Sequence, residues 1–162
     1  MIRVEVSNRQ AVLDVDTSKL QDAITAVLKT EGIQQAEVSL AIIDDVEIHE
    51  LNRRYLQHDY PTDVLSFVLE RSAAGLDGEV IISTETALER CQEFGWSATK
   101  ELTLYAIHGT LHLVGFDDKT AVDRAEMRER ERFHLAKLGI EIPAHSSTSR
   151  PQDRWAKGDH SK

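Results

Sequence analysis

The segment HGTLHLVGFDD, residues 108–118, sets His108, His112, Gly115 and Asp118 at spacings that can close around one metal ion. Four residues make slightly more than one helical turn, so the imidazoles of His108 and His112 leave the same face and can converge on one cation. Gly115 stands where a helix commonly ends in a left-handed residue, which turns the chain so that Asp117 or Asp118 reaches the ion. Two imidazoles and a carboxylate suit one zinc ion and leave a fourth position open, the arrangement of catalytic zinc. A closed sulfur-rich site is disfavoured, because Cys91 is the only cysteine.

The spacing His-x-x-x-His-x-x-Gly-x-x-(His or Asp) is also that of zinc peptidases in which Glu follows the first His as general base. Here that position is Gly109, which cannot accept a proton. A peptidase-like zinc hydrolase therefore needs another base, for which Glu101, two turns earlier on roughly the same face, is the candidate.

On these residues the chain resembles the YbeY family of bacterial endoribonucleases and ribosomal RNA maturation factors. The family signature runs His-Gly-x-Leu-His-Leu-x-Gly-aromatic-Asp-His. His108, Gly109, Leu111, His112, Leu113, Gly115, Phe116 and Asp117 fit it, while Asp118 stands at the family's third metal-ligating His. A second matching block is Pro61 through Phe67, and Gly78–Ser83 and Leu138-Gly139 extend the similarity over roughly residues 35 to 140. The family's Arg implicated in catalysis falls on Leu56, so its charge must come from elsewhere. Arg53, Arg54 and His58 are the nearby candidates, with Arg54 and His58 foremost; the plainer reading of the arginines is a solvated helix end and of His58 a loop residue.

The resemblance implies a zinc-dependent, single-strand-preferring endoribonuclease, with metal ligands His108, His112 and Asp118 and ribosomal RNA, a ribosomal subunit or a ribosomal protein as partners. The other readings are a non-catalytic ribosome-assembly factor and the peptidase-like hydrolase. A net charge of −9 is awkward for an RNA enzyme and points to weak binding of naked RNA, with Arg53, Arg54, His58 or Arg71 supplying a local cationic field.

The elements that must position these groups read as one α+β domain with one mixed sheet packed by helices. At 162 residues and 41% hydrophobic, the chain suits one core. Expected strands are Ile2–Val6, Glu37–Ile43, Val64–Leu69 and Gly78–Ile82, the last two joined through a Gly-containing turn. Expected helices are Thr17–Glu31 before Gly32, Asp44 or Asp45 to about Tyr55, Ser83 or Thr84 to Gly95, an apolar metal helix over Glu101–Val114, and Thr120–Leu138. Gln57 to Thr62 reads as a loop. In the last helix, the charged run DRAEMRERER reads as a solvated face, and Cys91 reads as a core residue beside Ala87, Leu88 and Phe94.

The hydrolase domain is expected over residues 1–142, with a polar, disordered tail over 143–162 whose Trp155 is exposed. Neither a membrane span nor a signal-peptide core is evident, and a cytoplasmic location is expected.

Overall fold

The structure, a computed structural model, describes residues 1–56 and 64–142. His58, the Pro61–Asp63 part of the second motif block, and the tail from residue 143 with Trp155 lie outside the described residues.

Nine elements follow one another: β1 (Ile2–Asn8), α1 (Thr17–Thr30), β2 (Ala36–Ile43), α2 (Asp45–Leu56), β3 (Val64–Ser72), β4 (Gly75–Ser83), α3 (Thr84–Phe94), α4 (Ala98–Leu113) and α5 (Ala121–Lys137). The strands form one mixed sheet in the order β1-β2-β4-β3. β1 and β4 run parallel to β2, and β3 pairs antiparallel with β4. This is the α+β architecture expected from the order of elements.

Alternation along the strands sorts side chains to two faces. Val38, Leu40 and Ile42 of β2 and Val80 and Ile82 of β4 meet Leu20, Ile24 and Leu28 of α1 and Leu102, Tyr105 and Ala106 of α4 in the main core. The opposite face carries a smaller cluster of Ile43, Ile48, Leu65 and Ile81 beneath α2. Helix starts follow side-chain capping: Asp16, Ser83, Ser97 and Thr120 each accept a hydrogen bond from a first-turn backbone N–H. For α2 the choice between Asp44 and Asp45 falls to Asp44, whose Oδ1 accepts from the Glu47 N–H at 2.8 Å. Asp45 instead receives the hydroxyls of Ser83 and Thr86 and ties α2 to the start of α3.

The β3–β4 hairpin reaches further than the alternation suggests, to Ser72 and from Gly75. A register shift between Val68 and Glu70 breaks the two-residue period, which hid this extension from the sequence pattern.

Helix α4 is almost wholly buried and lies close against β3 and β4 at Gly109. A Cβ added there would stand 2.5 Å from Val80 Cγ1 and 3.0 Å from Ser66 Oγ. The Ser66 hydroxyl uses this closeness to donate to the Gly109 carbonyl at 3.0 Å. The contact sets how α4 is rolled about its axis, and so where His108 and His112 aim.

Helix α5 is fixed to α1 by charge. Glu31, just past α1, accepts from Arg130 and from His134 Nε2, the latter at 2.7 Å. Burial holds His134 below the usual histidine value despite Glu31, so the neutral ring donates its N–H. Burial would raise the Glu31 pKa, but Arg130 and His134 outweigh it and leave the carboxyl below its ordinary value.

Two expectations follow. Alanine has the higher helix propensity by about 1 kcal/mol, yet Gly109→Ala should destabilise the fold by about 1–3 kcal/mol through overpacking against Val80; a higher urea midpoint would contradict this close approach. For Glu31, a depressed folded-state pKa contributes stability above the unfolded value of about 4.5 that disappears as pH falls through the folded value. Glu31→Gln should therefore cost about 1–3 kcal/mol at neutral pH, and its unfolding free energy should converge with wild type in acid; a gap independent of pH would exclude an ionic role.

Candidate metal centre

Three donor atoms gather beyond the last turn of α4. His108 Nε2 and His112 Nε2 lie 3.1 Å apart, and Asp118 Oδ2 lies 3.4 Å from the first and 3.3 Å from the second. Zinc bonds of about 2.0–2.1 Å in a tetrahedron place neighbouring ligand atoms about 3.3–3.4 Å apart. The three atoms thus mark one face of a coordination tetrahedron. Among the described residues they are the group of His, Cys, Asp and Glu side chains suited to holding a metal.

The turn after α4 brings in the third donor. Gly115 has φ +111°, its N–H bonds to the His112 carbonyl, and the Phe116 N–H reaches back to the Leu111 carbonyl. This paired closure satisfies the helix's last carbonyls and reverses the chain. Phe116 packs against the apolar cluster of Leu104, Ile107 and Leu111, which anchors the turn. Arg124 of α5 donates from Nη1 to the carbonyls of Asp118 and Lys119 at 3.3 and 3.1 Å. Of the two aspartates left open by the sequence, Asp118 lies with the imidazoles, and the Asp117 carboxylate accepts from the Asp118 backbone N–H at 2.8 Å.

Behind His108 stands a residue that sequence reasoning missed. Glu131 Oε2 of α5 lies 2.6 Å from His108 Nδ1, both side chains being 2% exposed. A carboxylate there favours the tautomer with its proton on Nδ1 and leaves Nε2 as a lone-pair donor. The reading of DRAEMRERER as a solvated face is thereby corrected, since Met127 and Glu131 are both buried. The available signal was an acid on the apolar stripe of Met127, Glu131 and Leu135, at i, i+4 and i+8.

Burial opposes a charged His108, but hydrogen bonds to Asp118 and Glu131, with their charges, push its pKa up to about 9. Burial likewise raises the Asp118 pKa, yet both imidazoles outweigh it and hold the carboxylate far below its usual range. The pocket is thus built for positive charge, which a proton or a cation can supply. Exposure rises from 2% at His108 through 17% at Asp118 to 25% at His112, so the centre opens on the His112 side.

The other candidates lie elsewhere. Glu101 is buried at the start of α4 and accepts from the Trp96 indole N–H at 2.6 Å; it is seven residues before His108, roughly 10 Å along the axis. The position after His108 is filled by the sheet contact of Gly109. Arg53 and Arg54 sit on the exposed last turn of α2, both paired with Glu50, and Leu56 ends that helix. Arg71 of β3 comes near the turn: its Nη1 lies 3.5 Å from where a Cβ on Gly115 would stand. Cys91 is buried beside Ala87 and Phe94, and burial followed by the Glu101 charge raises its thiol pKa, as fits a core residue.

Comparison with known proteins accounts for the whole arrangement. A family model described as Endoribonuclease YbeY matches residues 5–139. A curated relative of that name from Rhodopirellula baltica is 43% identical over 133 residues, covering 81% of this chain and 69% of that protein. Another, from Moorella thermoacetica, is 40% identical over 150 residues, covering 83% and 96%. The solution structure of a Thermotoga maritima protein shares the fold with a TM-score of 0.55 at 28% identity, over 86% of this chain and 92% of that one. With its histidine pair, reversing turn and helix-on-sheet contact all within the matched span, the chain belongs to the YbeY family.

Proposed function

We propose that this chain is a zinc-dependent endoribonuclease that cleaves single-stranded RNA during ribosomal RNA maturation in the cytoplasm, with a ribosomal subunit or protein presenting the substrate. The observation that carries the reading is the set of three donor atoms at tetrahedral spacing, open on one side, in a member of a family described as endoribonuclease. His108, His112 and Asp118 are the proposed ligands of one ion, and nitrogen–oxygen donors of this kind favour zinc.

When bound, such an ion supplies Lewis acidity toward a phosphate oxygen or lowers the pKa of a water molecule. The chain's own residues do the rest. Glu131 holds the His108 proton on Nδ1, Arg124 fixes the backbone on which Asp118 is mounted, and Phe116 pins the turn. His112, the most exposed of the three, borders the opening where a phosphodiester can enter. Two carboxylates, Asp118 in direct reach and Glu131 behind His108, match the charge of a divalent ion.

The same geometry weighs against peptide hydrolysis. Gly109 fills the position of the peptidase base and is closed off by Val80, while Glu101 is engaged by Trp96. RNA carries its own nucleophile, the 2′-hydroxyl, so the reaction does not depend on a carboxylate at either place. No helix among the described residues is long and apolar enough to cross a membrane.

Metal content tests the ligand set: Asp118→Ala should lose most bound zinc and Glu131→Gln should weaken zinc roughly 10–100-fold, whereas Asp117→Ala should retain it, all read by metal analysis after dialysis against a graded chelator. The reverse ranking of the two aspartates would reassign the third ligand. End-labelled single-stranded RNA should be cleaved by metal-loaded wild type, and neither by wild type in chelator nor by His112→Ala. Products ending in 2′,3′-cyclic phosphate are expected, and a substrate with 2′-deoxy at the scissile position should resist. Equal cleavage by His112→Ala would sink the nuclease reading.

A further inference from the structure

The centre has a cationic flank on α5 that the metal motif does not include. Arg124, Arg128 and Glu131 stand at i, i+4 and i+7, one stripe of the helix. Both ends of the stripe are tied to the centre, Arg124 through the Asp118 carbonyl and Glu131 through His108. Arg128 lies between them on the stripe, and helical side chains lean toward the N-terminus, the direction of Arg124.

Arg128 Nε and Nη1 are shielded from solvent and, among the described residues, meet no acceptor; the same holds for Arg124 Nε. Buried guanidinium donors without acceptors are costly and rare in native proteins. Five arginines elsewhere pair with carboxylates: Arg3 with Glu37, Arg9 with Glu47, Arg53 and Arg54 with Glu50, and Arg130 with Glu31. The unsatisfied guanidinium donors of Arg124 and Arg128 fall on the α5 stripe that meets the metal centre, in a chain whose second motif block has Leu56 at the position of the family's arginine.

We propose that Arg128, assisted by Arg124, forms a phosphate subsite beside the metal centre that takes a backbone phosphate of the RNA strand. Planar guanidinium donors match phosphate oxygens in pairs, and Arg128 as a residue is only partly buried, so a phosphate meets the edge of the guanidinium that is not shielded. The subsite rests on the nuclease reading for the identity of its ligand. It acts in binding and therefore appears in KM more than in kcat.

The test uses the full chain and the variants Arg128→Gln and Arg128→Lys. Against single-stranded RNA, Arg128→Gln should raise KM about tenfold, with kcat changed much less. Its slope of log affinity against log salt should shrink by about 0.7, the increment for one phosphate on a single strand. Arg128→Lys should keep the slope. In phosphate-free buffer, Arg128→Gln should melt no lower than wild type, because an unsatisfied buried cation is removed; a purely structural arginine would give a lower melting temperature. Inorganic phosphate, added with chelator present, should raise the melting temperature of wild type and not of Arg128→Gln.

A wild type that cleaves RNA while Arg128→Gln matches it in KM and salt slope overturns the subsite and leaves the nuclease reading intact. A wild type that does not cleave RNA, but whose stabilisation by phosphate is abolished in Arg128→Gln, supports the anion subsite and removes the nuclease reading.

Discussion

The contact between Glu131 and His108 is the constraint from which the site takes its form. A carboxylate that is 2% exposed must be compensated, since an unpaired buried charge costs several kcal/mol. Helix α5 can therefore dock only where Glu131 meets a hydrogen-bond donor, and His108 Nδ1 is that donor. The same bond orients the imidazole and frees Nε2 for the opposite side, where His112 and Asp118 converge. One buried pair thereby joins helix packing to metal chemistry. The acids that make the pocket electronegative are the ones that hold it together.

Gly109 settles the remaining degree of freedom. With His108 gripped from α5, the roll of α4 depends on how near it lies to the sheet, and only a residue without Cβ permits the approach to Val80 and the Ser66 hydrogen bond. The spacing shared with zinc peptidases thus serves a different packing. Where those enzymes carry a general base, this helix presents a bare backbone to a strand, and the two uses of the position exclude one another. Substrate chemistry is consequently restricted on one side of the ion by packing rather than by any polar group.

What the sequence made legible was local. His108 and His112 share a helical turn, Gly115 closes it, and Asp117 or Asp118 follows within reach, so periodicity and turn chemistry predict the cluster up to the choice between the two aspartates, for which the family resemblance pointed to Asp118. The strands and helices that build the core were readable for the same reason, because each buries a regular stripe. Glu131 was not, for its partner lies on another helix, 23 residues away at His108, and Arg124 was not, for it meets backbone carbonyls of the preceding turn, which no side-chain pattern marks. In a run as charged as DRAEMRERER, a buried acid looks like its solvated neighbours unless its place on the apolar stripe is weighed above its charge. The hairpin beyond Val68 was obscured differently, since the register shift interrupts the alternation on which strand reading depends.

The acidic balance of the chain poses less of a problem for RNA than its total suggests. A net charge of −9 describes the far field, whereas the potential at a cleft depends on which charges nearby are already cancelled. Glutamates are spent against arginines at Arg3–Glu37, Arg9–Glu47 and Arg53–Glu50, far along the chain from the metal motif, and at Arg130–Glu31 between α5 and the end of α1. At the turn of residues 115–119 two arginines stand among the acids of the centre: Arg71 approaches Gly115 and Arg124 faces backbone carbonyls, with no ion pair to a carboxylate for either among the described residues. A phosphate strand therefore meets a chain whose bulk charge opposes it and has these few arginines to draw on. That contrast disfavours non-specific binding along RNA, because few cations are left to neutralise phosphates away from the cleft.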